Sequence, residues 1–305
     1  MSNPNKVSAT TRLVSMYHPT HHPFKNSAVG TLGPITMKTP KRDGWGMGDL
    51  SADGRARLAK LTAVEPANRP LPPTPLYSGL LNFVFPLINI VTRLKISGME
   101  HIPRTGPLIV AANHLSHVDP VLAIFSSRRK LFYLAKNEHF SKPGWRQLML
   151  ATGQVETDRQ KGGDDAIARA ADVLAAGMPL GIFPEGTRSR NASPPYLSRG
   201  KTGIARIAAA FPDTPVVFCG INGARDILAP GEPFLPKTWK RTELKFASPI
   251  TWNEWASHDD GANLDDDTVA EIEGMSDKKR REELGKLYRQ FTNQSIATIA
   301  ALGAP

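Results

Sequence analysis

Short apolar runs alternate with helical patterns through the middle of this chain. Residues 108–112, 131–135, 179–183 and 216–221 are apolar runs of strand length, the pattern of strands buried on both faces. Between the second and third runs, residues 164–176 place Ile167, Ala170, Ala171 and Leu174 at helical spacing, open with acidic side chains and stop at Gly177. Residues 200–210 carry a second helical pattern and residues 121–127 a short one. This alternation predicts an α/β fold, a mainly parallel sheet flanked by helices.

The flanking segments read differently. Residues 1–75 hold 10 of the 26 prolines, and ten Lys or Arg against four Asp or Glu, which describes a basic, mostly irregular N-terminal arm. A short helix over residues 50–61, opening at Ser51, fits inside it. Residues 80–91 are the most apolar stretch, interrupted by Asn82, Pro86 and Asn89, and fall short of the roughly 20 apolar residues that a spanning helix needs. A buried core helix would carry the same pattern; with Arg93 and Lys95 behind it, residues 76–95 are taken as a membrane-associating helical segment. The α/β domain is then expected over residues 96–250, with a C-terminal extension over 251–305. In that extension the acidic residues 265–267 suit a solvated loop. Residues 278–301 form an amphipathic pattern with Leu284, Leu287, Phe291 and Ile299, as in a helix that docks and closes the domain.

A formal charge of +10 adds attraction to anions, whether nucleic acid, an anionic membrane or phosphorylated substrates. No zinc-ligand spacing and no basic stripe interleaved with aromatics favours nucleic acid, so no nucleic-acid partner is expected. Cys219 is the sole cysteine, and no secretory apolar stretch opens the sequence, from which a reducing cytoplasmic setting is expected.

Two clusters carry chemistry. The first, Asn113-His114-Leu115-Ser116-His117-Val118-Asp119-Pro120, directly follows the apolar run 108–112. Imidazole is suited to take a proton from a hydroxyl near neutral pH, and a carboxylate on its other nitrogen fixes tautomer and orientation. On a regular helix, residues five apart lie about 140° apart around the axis, so His114 and Asp119 meet only if the backbone turns back before the helix begins. Asp119-Pro120 suits that turn, with Asp as N-cap and Pro at the first helical position. The same residues also fit a plain helix cap beside ordinary loop histidines. The second cluster, Phe183-Pro184-Glu185-Gly186-Thr187-Arg188-Ser189, stands where the run 179–183 ends. Ligands gather at the carboxyl ends of parallel strands, and Arg188 is able to hold a phosphate through a bidentate pair. A solvated turn with a Glu–Arg pair is the alternative.

In this order and about 70 residues apart, the two clusters resemble the glycerolipid acyltransferase family that includes bacterial 1-acylglycerol-3-phosphate acyltransferases. That family carries a histidine, four residues and an aspartate, here His114 to Asp119, and later a block here intact from Phe183 to Ser189. Its intermediate glycine-led segment is similar to Gly153-Gln-Val-Glu-Thr-Asp-Arg159, with Glu156 and Thr157 where an aromatic and an aliphatic residue are usual. Lys201-Thr202-Gly203 is similar to its downstream lysine–glycine segment, and Pro215-Val216-Val217 keeps only the strand character of its last block.

The resemblance implies acyl transfer from an acyl thioester, on coenzyme A or acyl carrier protein, to the free hydroxyl of a lysophospholipid acceptor such as 1-acylglycerol 3-phosphate. His114 would act as general base oriented by Asp119. Arg159, Glu185, Gly186, Thr187, Arg188 and Lys201 would bind substrate, with backbone N–H groups around Glu185 and Gly186 facing the oxyanion. No metal or cofactor is required. The protein is expected at an anionic membrane surface, on the cytoplasmic face of the cell membrane, peripheral or shallowly inserted. Glycerol 3-phosphate, a lyso-ornithine lipid or a glycolipid are alternative acceptors, and a non-catalytic anionic-lipid-binding protein is the alternative of another class.

Overall fold

A computed structural model of the chain describes residues 50–75, 77–79, 82, 92–141, 144–158, 162–191, 193–231 and 237–305. The strands are β1 (Arg93–Ser97), β2 (Leu108–Ala112), β3 (Phe132–Lys136), β4 (Gln154–Thr157), β5 (Pro179–Ile182), β6 (Val216–Asn222) and β7 (Arg241–Phe246). They form one sheet in the order β1-β7-β6-β2-β5-β3-β4. Every neighbouring pair is parallel except β6 and β7, which run antiparallel. The sheet is therefore the mainly parallel one that the pattern predicts.

The longer helices are α1 (Ala52–Thr62), α2 (Asp119–Ser127), α3 (Trp145–Ala151), α4 (Gly163–Ala175), α5 (Gly203–Ala210), α6 (Trp252–Ser257), α7 (Asp266–Gly274) and α8 (Asp277–Ala301). They cover both faces, which is why the central strands read as unbroken apolar runs. On one face Ile109 and Ala111 of β2 join Leu180 and Phe218 in a core with α1, α4, α5 and the C-terminal helices. On the other, Leu108, Val110 and Ala112 join Tyr133, Val217 and Cys219 beneath Leu122 and Ala123 of α2.

The segments flanking the central runs are also built in. Ser51 caps α1, its hydroxyl accepting from the Gly54 N–H at 3.1 Å, and Leu50 and Leu58 are buried in the first core. Arg93 and Lys95, taken in the sequence as cations trailing an apolar helix, belong to edge strand β1; the apolar residues 83–91 ahead of them lie outside the described residues. At the other end α8 docks through Phe291, which packs edge-on to Trp255 at 5.0 Å, while Gln294 Oε1 accepts the Trp255 indole N–H at 2.6 Å. Residues 265–267 start α7, with Asp265 as its cap.

Candidate active site

Strand β2 lies at the centre of the sheet, and its carboxyl end is fixed by the buried Asn113 side chain. That amide donates to the Ile221 carbonyl at 2.8 Å and accepts the Ile221 N–H at 2.7 Å, extending the β2–β6 pairing by one step. The chain then turns, and Ser116 anchors the turn by donating to the Leu228 carbonyl at 2.6 Å.

Asp119 is wholly buried at the first turn of α2. Its Oδ2 accepts the Leu115 and Ser116 N–H groups, both at 2.6 Å, and lies 2.9 Å from His114 Nδ1. The sequence reading placed Asp119 at the helix cap; the cap position belongs to Val118, and the carboxylate faces back onto amides that precede it. A capping carboxylate would instead accept from amides that follow. The loop thus wraps around its own carboxylate, which brings together two residues that a regular helix would hold apart.

His114 is 16% exposed through its side chain, and its ring stacks on Phe183 with centroids 4.0 Å apart. Phe183 stacks in turn on Tyr133 at 5.1 Å. The Tyr133 ring lies directly over Gly181 of β5, where any Cβ would collide with it, so glycine is required in the middle of that strand. The Tyr133 hydroxyl is buried without a hydrogen-bond partner among the described residues, as is Asp119 Oδ1. Burial pushes the Tyr133 pKa well above its ordinary value, and nearby Tyr77, Cys219 and Asp119 add to the shift. Neither Phe183 nor Tyr133 stood out as a ring partner in the sequence, where both read as core; an in-strand glycine was the available signal.

The second cluster holds the main chain of the first. Glu185 is 2% exposed, and its carboxylate oxygens accept the His114 N–H at 2.7 Å and the Ser198 N–H at 2.9 Å. The His114 carbonyl accepts the Ser189 N–H at 3.1 Å. Burial raises the Glu185 pKa, and the backbone hydrogen bonds from His114 and Ser198 oppose that rise. Glu185 was expected to bind substrate; both of its oxygens are instead committed to backbone amides. The Gly186 N–H, expected to face the oxyanion, donates to the Phe183 carbonyl at 2.9 Å and closes a turn at φ +70°.

Cations flank this turn. The aliphatic part and Nζ of Lys201 lie across Gly186, and the Lys201 N–H donates to the Pro184 carbonyl at 2.7 Å. Arg188 is partly buried, its Nη1 contacting both ring nitrogens of His117, with Nε2 at 2.6 Å. Burial lowers the Arg188 pKa and the Asp119 charge opposes this; a guanidinium stays charged throughout. Thr187 is exposed in the same loop, and Arg159 lies outside the described residues. Arg225, which the sequence reading passed over, donates to the Asn191 carbonyl at 2.7 Å and stacks on Tyr196 at 4.4 Å, tying down the loop that follows Ser189.

The family model described as Acyltransferase matches residues 93–222, the stretch that contains His114, Asp119, Phe183, Glu185 and Arg188. Residues 93–222 are thus similar to the Acyltransferase family. The same region is similar to proteins named 1-acyl-sn-glycerol-3-phosphate acyltransferase. The Borreliella burgdorferi protein is 28% identical over 37% of this chain and 46% of its own length. The Bacillus subtilis protein is 25% identical over 52% of this chain and 78% of its own. The Mus musculus alpha protein is 30% identical over 41% of this chain and 45% of its own. The chain thus spans less than half the length of two of these three relatives. Among solved structures, the crystal structure of the 1-acyl-sn-glycerophosphate acyltransferase PlsC from Thermotoga maritima is similar at a TM-score of 0.45, with 19% identity, over 80% of this chain and 83% of that one.

Proposed function

We propose that the protein is an O-acyltransferase that moves a fatty acyl group from an acyl thioester, on coenzyme A or acyl carrier protein, to the free hydroxyl of 1-acylglycerol 3-phosphate, giving phosphatidic acid. The observation that carries this reading is the His114–Asp119 pair. Asp119, fully buried and hydrogen-bonded to two backbone N–H groups, holds the proton on Nδ1, which leaves Nε2 to accept one. The stacked Phe183 ring fixes the plane of the imidazole.

Nε2 takes the proton of the acceptor hydroxyl as its oxygen attacks the thioester carbonyl. The tetrahedral intermediate collapses to the ester, and the leaving sulfur takes the proton back from the imidazolium, so that thiol and phosphatidic acid are the products. Arg188 supports a phosphorylated acceptor, since its planar fork suits phosphate, and Lys201 adds a second positive charge beside Gly186. Glu185 acts through the backbone by setting the position of His114. Attachment is peripheral or shallowly inserted at the cytoplasmic face of a membrane; no helix among the described residues is long and apolar enough to cross one.

The test is thiol release from an acyl thioester with 1-acylglycerol 3-phosphate, glycerol 3-phosphate and a lyso-ornithine lipid as acceptors. Release matched by phosphatidic acid, and strongest with the lysophosphatidate, is expected. Release that ignores the acceptor phosphate would overturn the acceptor, and acceptor-independent hydrolysis would overturn the transfer.

A further inference from the structure

We propose that the exposed turn at residues 237–241 binds an anionic bilayer and seats the active-site end of the sheet on it. Trp239 is 64% exposed, the most exposed large hydrophobic side chain among the described residues, and its backbone is left-handed at φ +62°. Bulky residues rarely adopt that conformation, so the fold tolerates local strain where it presents an indole to solvent. Lys237, Lys240 and Arg241 around it are exposed, as is Arg93, whose N–H donates to the Lys240 carbonyl at 3.1 Å. The nearest acidic side chain on these strands, Glu243, is engaged by Lys95 at 3.2 Å and Lys245 at 3.6 Å. An exposed indole ringed by cations matches the interfacial zone of a bilayer, where tryptophan sits among headgroups and Lys and Arg meet anionic lipid.

The topology places this turn beside the chemistry. Because β7 runs antiparallel to β6, its first residue lies at the carboxyl end of β6, with Glu243 paired to Asn222. The Arg241 carbonyl abuts Gly223, so closely that a Cβ there would collide with it. Strand β1 runs parallel to β7, Arg93 opposite Arg241, so β1 also begins at that same end. The Lys237 N–H donates to the Ile227 carbonyl at 2.8 Å, and the neighbouring Leu228 carbonyl accepts from Ser116 in the loop between His114 and Asp119. Two hydrogen bonds and one peptide link therefore separate the tryptophan turn from the catalytic loop. A lipid acceptor would reach His114 from the surface this turn rests on, a point that depends on the lipid-acceptor reading above.

Binding of the full-length chain to phosphatidylcholine vesicles, with and without phosphatidylglycerol, tests the proposal without any catalytic readout. Trp239→Asn suits the left-handed backbone, so its melting temperature should not fall. It should weaken vesicle binding by about tenfold, an order-of-magnitude expectation for an interfacial aromatic. Lys240→Ser with Arg241→Ser should weaken it at low salt by roughly fivefold per charge and abolish the preference for phosphatidylglycerol. Brominated phosphatidylcholine should quench the wild-type tryptophan fluorescence more than that of Trp239→Phe. Wild-type vesicle binding by the folded charge variant and by Trp239→Asn would overturn the proposal. So would binding to duplex DNA that is lost in these variants while vesicle binding is kept. If no form transfers acyl groups but vesicle binding still depends on Trp239, the membrane contact stands and the acyl-transfer reading falls.

Discussion

The Glu185 carboxylate accepts the backbone N–H of His114 at 2.7 Å, reaching from the end of one strand to the residue that begins the loop after its neighbour. Strands β2 and β5 lie side by side, so the two clusters leave the sheet together. Glu185 and Ser189 then grip the His114 main chain from its N–H and its carbonyl, while Asp119 holds its side chain.

Glu185→Gln should disturb this grip, because a carboxamide offers one acceptor oxygen to two N–H groups and turns a donor toward the other. A loss of about 1.5–3 kcal/mol of stability, the scale for hydrogen bonds to a charged group, is expected together with a lower kcat. Since burial raises the Glu185 pKa, its ionisation disfavours the folded state, and its contribution to stability falls as pH rises from the ordinary value of 4.5 through the raised one. The wild-type advantage over Glu185→Gln should therefore narrow across that window in pH-dependent melting curves. An advantage that widens with pH would mean that the two backbone hydrogen bonds to the carboxylate outweigh its burial.

His114→Ala should lower acyl transfer by about 10² to 10⁴ with little change in melting temperature, the usual scale for a lost general base. Asp119→Asn should also lower kcat, because a carboxamide no longer holds the imidazole proton on Nδ1 through a buried charge. His117→Ala should leave kcat largely intact. A folded His114→Ala enzyme with normal turnover, beside an inactive His117→Ala, would move the base to His117.

Arg188→Lys keeps the charge and loses the planar fork. Acceptor saturation should weaken by about 1.5–3 kcal/mol, while thioester saturation stays near wild type. His117 contacts the Arg188 guanidinium, so His117→Ala should raise the acceptor KM by a smaller factor. Equal defects with phosphorylated and unphosphorylated acceptors would remove Arg188 from the phosphate.

Tyr133→Phe should be neutral or stabilising by about 1 kcal/mol, because it deletes a buried hydroxyl that lacks a partner and keeps the ring against Phe183. Burial holds the Tyr133 pKa above its ordinary value of 10.0, so its contribution to stability is complete below that pH and is lost as pH rises above it. Alkaline melting curves should accordingly fall less steeply for Tyr133→Phe. A large loss of stability at neutral pH would mean that the hydroxyl has a partner.

The sequence by itself determined the central strands and the main helices, because a strand buried on both faces or a helix with one apolar side is written in local spacing. The run at 108–112 is β2 residue for residue, and the pattern at 278–301 falls one residue short of α8 at its start. Strands β1 and β7 escaped that reading because Arg-Leu-Lys-Ile-Ser and Arg-Thr-Glu-Leu-Lys-Phe alternate with polar residues toward an edge of the sheet. The residues of the two clusters were equally legible, since they are contiguous in the chain. What they touch was not. Asp119 facing back onto Leu115 and Ser116, Glu185 committed to backbone N–H groups, and Tyr133 lying over Gly181 all depend on which strands become neighbours. Local spacing records how each segment is buried; only packing decides which distant segment buries it.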